Sequence, residues 1–383
     1  MKFRVLSDEI NFGMSMVAHA VPARAVIPAM EGVYIETDTD HLILTATNGE
    51  MTIKSRVPAI VEEEGCGLLP AKLFGDVMRK QAAGQVQVNL DHATNATDIS
   101  SLRSKTKMMG LDTEDFPEIS APSEDNRLTI PCSKFKQAVG RVLFAVSQDE
   151  GRKILTGVLM EAYANQIVFV GLDGFRLALQ RMESRNEIPA DKKDGKISCV
   201  VPGSVMSEVT KMLPDDEKVM LNIVFSTSHI MFNFDNVTLY ATLLAGEFID
   251  YRKILPASST TFITISCKQF NEAIDRCALI AKENKNNLIS LNIKKENENG
   301  VEGQLIMTAS ADCGDAREEI NVGIDGKDLS ISFNARYLTD MVHNISDDMM
   351  TMCFNTNVSP CMIKPAEGDQ YRFLVLPVRV FAK

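Results

Sequence analysis

Apolar residues follow short predicted strands at fixed steps in three places along the chain. Counted from Val5, Ile130 and Ile265, small or apolar residues recur two, five, nine, twelve and fifteen positions further on. They are Ser7, Ile10, Met14, Val17 and Ala20, then Cys132, Phe135, Val139, Val142 and Ala145, then Cys267, Phe270, Ile274, Cys277 and Ile280. The last four steps mark one face of a helix. The pattern predicts a strand and an amphipathic helix, three times, starting about 125 to 135 residues apart.

A second series of the same kind falls between these three. The strings LPAKL from Leu69, VPGSV from Val201 and FNARY from Phe333 are separated by 132 residues each. Proline or asparagine just before the apolar steps is a helix start signal. A further apolar helical position follows each string, at Val77, Val209 and Met341. The two series together predict six strand-helix units.

Alternating apolar and polar residues between the helices predict strands. Residues 33–37 and 41–46 alternate around a polar turn, and residues 166–170 and 305–309 occupy similar places in the other thirds. Such strands, bounded by Asn, Asp and Gly, favour antiparallel meanders. Polar, proline-bearing linkers at 116–126 and 250–259 separate the three thirds of the chain. We therefore predict an α+β chain of three domains, 1–121, 127–250 and 260–383, each a pseudo-twofold pair of units.

Composition adds limits to this picture. The 383 residues suit two or three domains, and a hydrophobic share of 45% suffices for their cores. Asp8 and Glu9 interrupt any signal-peptide core, and no apolar run reaches the roughly 18 residues of a membrane span, so a cytoplasmic protein is expected. The net charge of −11 taken alone disfavours nucleic acid. Net charge does not report distribution, however, and cations confined to one surface would remove the conflict.

Metal and catalytic chemistry find little support in the residue pattern. The eight cysteines lie far apart without CxxC pairs and are expected to be small buried hydrophobes, and the five histidines are scattered. No cofactor or metal is predicted. Glycine-rich phosphate loops and nucleophile or zinc motifs are missing, and the acidic run Asp215-Asp216-Glu217 fits a solvated turn. An enzyme using scattered carboxylates, such as Asp149 and Glu150, stays open as an alternative.

Several strings resemble the β subunit of bacterial DNA polymerase III, the sliding-clamp family. FAVS at 144–147 with TGV at 156–158 resembles the start of its middle domain, and GLDGFRLA at 171–178 resembles its D-x-x-R-L-A segment. GEFIDYRKILP at 246–256 is similar to its G-x-F-P-D-Y linker, and LPVRV at 376–380 to its C-terminal tail. The likeness runs over the whole chain in order, which makes it more specific than any one motif.

The resemblance implies an architecture and a function. Such clamps are head-to-tail homodimeric rings of three-domain subunits in which twelve helices surround duplex DNA. Helices about 10 Å wide have a centre line of roughly 120 Å and leave a hole near 28 Å. The chain is thus expected to be a non-enzymatic processivity factor of DNA replication. It would tether polymerase, clamp loader and repair proteins. A protein-binding scaffold of the same repeats without a DNA role is the alternative.

The DNA-facing residues are expected on the helices and nearby loops, because sliding requires weak, sequence-independent phosphate contacts. The residues expected to contact DNA are Arg24, Lys72, Arg79, Lys80, Gln148, Arg152 and Lys211. The resemblance gives most weight to Arg24, Lys72 and Arg79, with Gln148 and Arg152 near the next loop, whereas Lys80 and Lys211 follow from their helix positions. Further helix cations are Lys134, Lys136, Arg141, Lys268 and Arg276. Gly203-Ser204 stands where relatives often have a basic residue, and any one of these cations is also compatible with an ordinary solvated surface.

The resemblance also implies a peptide-binding pocket between the second and third domains and a subunit interface. The pocket residues are Leu155, Leu172, Gly174, Phe175, Arg176, Leu177, Ile249, Lys253, Ile254, Leu374, Val375, Leu376, Pro377, Val378, Arg379 and Val380. Ile249 replaces a frequent proline of the family and Lys253 a frequent arginine. The interface residues are Thr106, Met108, Leu279 and Ile280. Leu279 and Ile280 form an apolar plug or, alternatively, complete the core stripe of their own helix.

Overall fold

The structure is a computed structural model, and it describes residues 1–102, 104–117, 126–186, 188, 195–296 and 301–379. Within these residues the chain forms six α-helices and 24 strands. The helices are α1 (Ser7–Val17), α2 (Ala71–Arg79), α3 (Cys132–Leu143), α4 (Gly203–Met212), α5 (Cys267–Ala281) and α6 (Ala335–Val342).

The strands of the first half of the chain are β1 (Lys2–Leu6), β2 (Gly32–Asp38), β3 (His41–Thr47), β4 (Met51–Glu63), β5 (Cys66–Pro70), β6 (Gln85–Leu90), β7 (Ala96–Ser101), β8 (Ser104–Met109), β9 (Asn126–Pro131), β10 (Gly157–Tyr163), β11 (Gln166–Leu172) and β12 (Arg176–Glu183). Those of the second half are β13 (Lys196–Pro202), β14 (Met220–Phe225), β15 (His229–Phe234), β16 (Val237–Thr242), β17 (Thr261–Ser266), β18 (Leu288–Lys295), β19 (Glu302–Ala311), β20 (Gly314–Asp325), β21 (Leu329–Asn334), β22 (Met349–Phe354), β23 (Cys361–Pro365) and β24 (Tyr371–Val375).

All six predicted strand-helix units are confirmed, because each helix begins directly after a strand, at β1, β5, β9, β13, β17 and β21. The predicted apolar faces are buried, as at Ile10, Phe135 and Phe270. Ser266 and Asn334 cap two of the helices by accepting the backbone N–H groups of Gln269 and Arg336.

The buried face differs by one residue in two helices. In α2 the core receives Phe74 and Met78, whereas Leu73 is exposed and Val77 half-buried. At the end of α5, Ala281 is buried and Ile280 is only partly covered. In α5 a fixed spacing drifts off the core face towards the helix end, because a turn of 3.6 residues does not divide evenly into integer steps. In α2 the spacing is unchanged but the buried face is shifted by one residue, and local spacing does not show which neighbour a helix meets.

The first compact unit consists of Met1–Lys136 and Ser207–Leu243. Its main path of antiparallel strands runs β8-β7-β6-β1-β4-β16-β15-β14-β9, and β2, β3 and β5 extend from β4. The long strand β4 connects the strands on its β1 side with those on its β16 side. Its C-terminal end pairs with β1, with Arg4 opposite Ile60, and its N-terminal end pairs with β16, with Leu239 opposite Ile53.

The second compact unit consists of Gln137–Met206 and Leu244–Lys383. Its strands follow the order β13-β10-β11-β12-β24-β23-β22-β17-β20-β19-β18-β21. Here β12 pairs with β24, and Leu177 lies opposite Leu374. Residues 314–323 of β20 pair with β19, whereas only its C-terminal residues 323–325 pair with β17, where Ile263 lies opposite Ile324. The predicted domain limits at 121–127 and 250–260 stay predictions, and residues 118–125 of the first linker lie outside the described residues.

Several minor predictions have a structural outcome. The run 215–217 is an exposed turn between α4 and β14, as predicted, and Asp215 pairs with Lys136 at 2.9 Å. Five cysteines are buried and two are half-buried, but Cys313 is exposed at the β19–β20 turn, so the prediction of buried thiols was wrong there. In the described part of the chain, no helix is long and apolar enough to span a membrane. Nor do the described residues contain a cluster of three potential metal-ligating side chains.

Candidate functional site

Four of the predicted pocket residues lie in one buried apolar cluster of the second unit, called the apolar floor below. Leu155 is the penultimate residue of the 3-10 segment Glu150–Thr156, and Leu172 ends β11. Leu177 and Leu374 lie opposite each other on β12 and β24. All four are buried in one cluster, which the ring of Tyr251 completes. The strand pairing explains the arrangement, since it brings residues almost 200 positions apart into register. The floor is thus part of the core, as apolar pocket floors are in general.

The β11–β12 turn contains two further predicted pocket residues, Gly174 and Phe175. Gly174 has φ of +93°, in the left-handed region that favours glycine. The carboxylate of Asp173 accepts the backbone N–H of Phe175 at 2.8 Å and of Arg176 at 2.9 Å, which fixes the turn. Phe175 is therefore held outward, 56% exposed, and its ring stacks on Tyr337 of α6 at 5.8 Å.

Arg176 is the buried cation of the site, with 8% of its surface exposed. Its Nε donates to Asp173 Oδ2 at 2.9 Å and its Nη1 to Asp340 Oδ2 at 2.5 Å. The guanidinium also lies over the rings of Tyr337 at 4.9 Å and Phe144 at 5.4 Å. Two carboxylates and two rings thus satisfy a charge that burial would otherwise make costly.

The C-terminal tail and the linker provide the remaining predicted pocket residues. After the buried Val375, the N–H of Leu376 donates to Phe175 O at 2.9 Å, and the N–H of Val378 donates to Ser332 O at 2.8 Å. Pro377 is half-buried and Arg379 exposed, and Val380 lies outside the described residues. In the linker, Ile254 packs on the apolar cluster, whereas Ile249 and Lys253 are exposed. The structure therefore brings the described pocket residues of the turn and tail together and places Ile254 on the same cluster.

Sequence reasoning missed four residues of this site: Phe144, Asp173, Tyr337 and Asp340. Asp173 stood in the recognised segment and carried a signal, because Asp before Gly is typical of a turn that a side chain caps. The other three lie on α6 or just after α3, far away in sequence. Only the fold brings them to Arg176.

The residues predicted to contact DNA are exposed without exception. In the first unit these are Arg24, Lys72, Arg79, Lys80 and Lys211, and in the second Gln148 and Arg152. Lys72 and Arg79 line one cavity of about 850 Å³ together with Glu31 and Asp76. Arg79 pairs with Asp76, and Lys211 pairs with Glu208 at 2.6 Å. Among the described residues Lys72 has no ion-pair partner.

The further helix cations differ in their freedom. Arg141 is turned into the second unit, where its Nη2 donates to Ser346 Oγ at 2.8 Å and the guanidinium lies over the Tyr371 ring at 5.4 Å. Arg276 forms a two-point ion pair with Glu318 of β20, at 2.8 and 2.6 Å. Arg141 in particular is held by contacts within its own unit, although its sequence position suggested a surface cation.

The predicted interface residues lie on two separate elements. Thr106 and Met108 belong to β8, the edge strand of the first unit, where Met108 is buried and Thr106 half-buried. Leu279 is 58% exposed near the end of α5 and Ile280 is half-buried. Leu279 therefore does not complete the core stripe of its own helix, and the subunit interface stays a prediction.

Comparison with known proteins gives one family along the chain. Models of the N-terminal, central and C-terminal domains of the DNA polymerase III beta subunit match residues 1–120, 129–250 and 252–379. The beta sliding clamp of Bacillus subtilis is 28% identical over all of both chains, and that of Staphylococcus aureus 27%. The crystal structure of the B. subtilis clamp aligns with a TM-score of 0.92 at 27% identity, covering all of both chains. A putative beta subunit from Eubacterium rectale also gives 0.92, at 26% identity, covering 99% and 100%.

Three copies of a paired strand-helix unit, matched from end to end, define the class of DNA sliding clamps. The chain belongs to the family of DNA polymerase III beta subunits. Its function is that of a sliding clamp and processivity factor, a subunit that assists synthesis without catalysing it.

Proposed function

We propose that two copies of this chain join head to tail into a ring around duplex DNA, working in the cytoplasm. The main observation that supports this ring is a type of strand pairing that occurs twice within the chain. Strand β16 adds to the N-terminal half of β4 in the first unit, and β24 adds to that of β12 in the second. Each pairing joins consecutive predicted domains. A third pairing of the same kind between two chains would close the ring.

Strands β20 and β8 have the free edges that this third pairing needs. Within the described residues, 314–320 of β20 pair with β19 on one side and with no strand on the other. In the described part of the chain, β8 pairs with β7 and with no other strand. An exposed edge is a template for another chain. Here the net charges of the edges are also opposite, because β8 carries Lys105 and Lys107, whereas this part of β20 carries three acids, Asp315, Glu318 and Glu319, and one cation, Arg317, which pairs with Glu319.

The register of this contact follows from the two internal pairings. Thr52 and Leu177 occupy the same position of their hairpins as Asp315, and they lie opposite Tyr240 and Leu374. The β15–β16 and β7–β8 hairpins align Tyr240 with Lys107. Lys107 would therefore face the partner's Asp315. Leu279 and Ile280 add apolar contact at the end of α5, whose Arg276 is bound to β20.

Mass in solution tests the dimer. The double variant Leu279→Ala with Ile280→Ala should sediment as a monomer where the unmodified chain sediments as a dimer. Lys107→Asp should weaken the dimer, and adding Asp315→Lys should restore it, because the exchanged charges again attract. An unchanged mass for the leucine–isoleucine variant would reject the apolar plug, and no rescue by the double charge exchange would reject the register.

The ring would hold DNA by topology, with weak phosphate contacts from Arg24, Lys72, Arg79, Lys80, Gln148, Arg152 and Lys211. Their exposure supports this role, because side chains that are not fixed in one geometry suit sliding. Loading the protein on nicked circular DNA and then linearising the circle tests encirclement. A ring slides off the free ends, whereas a scaffold without DNA encirclement never loads.

The pocket in the second unit would recruit polymerase, clamp loader and other proteins that carry a clamp-binding motif. Its apolar floor and outward-facing Phe175 suit a short linear peptide. Deletion of residues 378–383 removes the hydrogen bond from Val378 to Ser332 and should abolish binding of a polymerase peptide while the dimer persists. If the shortened chain bound the peptide with unchanged affinity, the pocket would have to lie elsewhere.

A further inference from the structure

Among the described residues, one buried acid of the second unit forms its hydrogen bonds with none of the predicted peptide-binding side chains. Glu161 stands in the middle of β10, among apolar neighbours, and only 2% of its surface is exposed. Burying a carboxylate is costly unless hydrogen bonds and opposite charges compensate it. The partners of Glu161 therefore indicate what its burial achieves.

Four donors surround the carboxylate. Tyr251 Oη donates to Oε2 at 2.8 Å, Arg252 Nη2 donates to the same atom at 2.6 Å, and Tyr163 Oη at 3.1 Å. Lys196 Nζ donates to Oε1. Burial alone would raise the pKa of Glu161, but the bonds from Lys196, Tyr251 and Arg252 hold that pKa below its ordinary value. The acid is ionised and fully satisfied at neutral pH.

Two of these donors are consecutive residues of the linker that carries the pocket residues Ile249, Lys253 and Ile254. The linker forms a single 3-10 turn there, Tyr251–Lys253, and the backbone N–H groups of Lys253, Ile254 and Leu255 donate only to Asp250 and Tyr251 within it. The side chains of Tyr251 and Arg252 fix this turn to β10. The Arg252 guanidinium also lies over the Tyr251 ring at 4.5 Å.

The Tyr251 ring connects this anchor to the pocket floor. It is buried in the same apolar cluster as Leu155, Leu172, Leu177 and Leu374. Glu161 thus holds the Tyr251 hydroxyl by a hydrogen bond, while the leucines of the floor pack against the Tyr251 ring. A shift of Tyr251 would move Ile254, three positions later, because the N–H of Ile254 donates to Tyr251 O at 3.1 Å. It would also move the preceding segment that carries Ile249.

We infer that Glu161 is a positioning residue for the peptide pocket: it holds the linker turn at Tyr251 and Arg252, so that an apolar peptide meets a preformed wall. Preorganisation raises affinity because binding does not have to order the site. The inference rests on the proposed pocket. It adds a residue that acts on the peptide only through the linker.

The test uses the full-length dimer and short overlapping peptides from the cognate polymerase subunit, and the peptide that binds the unmodified clamp most tightly serves as the probe. Glu161→Gln keeps the shape but removes the charge that holds Lys196 and Arg252. It should weaken the probe about tenfold, mainly through faster dissociation. Tyr251→Phe keeps the ring and removes one donor, so it should act in the same direction and supplies the test if Glu161→Gln does not fold.

Two readouts separate positioning from general stability. Amide exchange at Ile254 and Leu255 should accelerate in Glu161→Gln while that of β24 stays unchanged. Combination with Ile249→Ala should be non-additive for probe binding, because both changes act on the same wall. Glu208→Gln is the matched control, since it removes a partly buried acid paired with His19 and Lys211 in the other unit. It should leave probe binding unchanged.

Each outcome has a distinct meaning. Failure of every peptide to bind the unmodified clamp would overturn the pocket, and the inference with it. Binding to the unmodified clamp with equal affinity for Glu161→Gln and Tyr251→Phe would overturn the inference alone. An additive effect with Ile249→Ala would also overturn it, because Glu161 would then act by some route other than the linker wall.

Discussion

The proposed peptide pocket and the cations proposed to face DNA are built in opposite ways. In the pocket, Leu155, Leu172, Leu177 and Leu374 are buried against each other, and Arg176 is held by two carboxylates and two rings. The cations are exposed. They stand alone, as Lys72 does among the described residues, or pair with one acid on their own helix, as Arg79 does with Asp76.

This difference follows from what each region has to recognise. A peptide is bound by shape, which requires side chains fixed before it arrives. A duplex that slides has to be met equally at every position, so fixed geometry would hinder rather than help. We therefore expect single substitutions in the pocket to have large effects on stability or peptide affinity. On the DNA surface we expect small effects on DNA affinity that follow the number of charges removed.

The largest effect is expected for Arg176→Met. It keeps most of the side-chain length but leaves the carboxylates of Asp173 and Asp340 without their shared cation. Breaking a buried pair in this way costs about 3–5 kcal/mol of unfolding free energy, measurable by chemical denaturation. Arg336→Met is the matched control, because Arg336 faces the same Asp340 at 3.9 Å but is largely exposed. Equal losses for the two variants would show that burial does not distinguish these arginines.

Phe175→Ala should affect binding more than stability. The ring is 56% exposed and loses its stacking on Tyr337, so little core packing disappears. Aromatic side chains of this kind contribute about 1–2 kcal/mol or more at interfaces, which corresponds to roughly a tenfold weaker peptide. Peptide titration and denaturation of the same sample measure both effects. Leu73→Ala, an exposed apolar residue of α2, is the control and should change neither.

The fold could be predicted further from the sequence than the sites could. The strand-helix repeat followed from apolar spacing, because a helix that packs on a sheet needs one buried face. Errors occurred where two faces compete, as with Leu73 and Met78 in α2, since local spacing does not show which neighbour the helix meets.

The pocket depended on the resemblance, and its polar supports were not predictable. Arg176 was predicted as a pocket residue, but Asp340 and Tyr337 lie on α6, and nothing local indicates that they contact it. Glu161 in an apolar strand was a visible anomaly in the sequence. Its meaning depends on Tyr251 and Arg252, 90 positions later, which only the folded linker brings near.

On the DNA surface, Lys72→Ala and Arg79→Ala should have modest and unequal effects. Removing one phosphate contact lowers the slope of log affinity against log salt by about one. Lys72 is unpaired among the described residues, so its loss should show the full change. Arg79 already shares its charge with Asp76, so its loss should show less. Duplex binding across a salt series measures the slopes, and a larger effect for Arg79 would contradict the ordering.

The smallest effect is expected for Gln148→Ala. Gln148 is exposed among the residues assigned to DNA but carries no charge, so its removal releases no counterion and should leave the salt slope unchanged. Affinity should fall by about twofold or less, as for one exposed neutral hydrogen bond. Gln148→Lys is the informative partner, since it should raise the slope by about one at the same position. If Gln148→Ala instead weakened binding as strongly as Phe175→Ala weakens the peptide, the DNA surface would also depend on fixed geometry, and the contrast between the two regions would not hold.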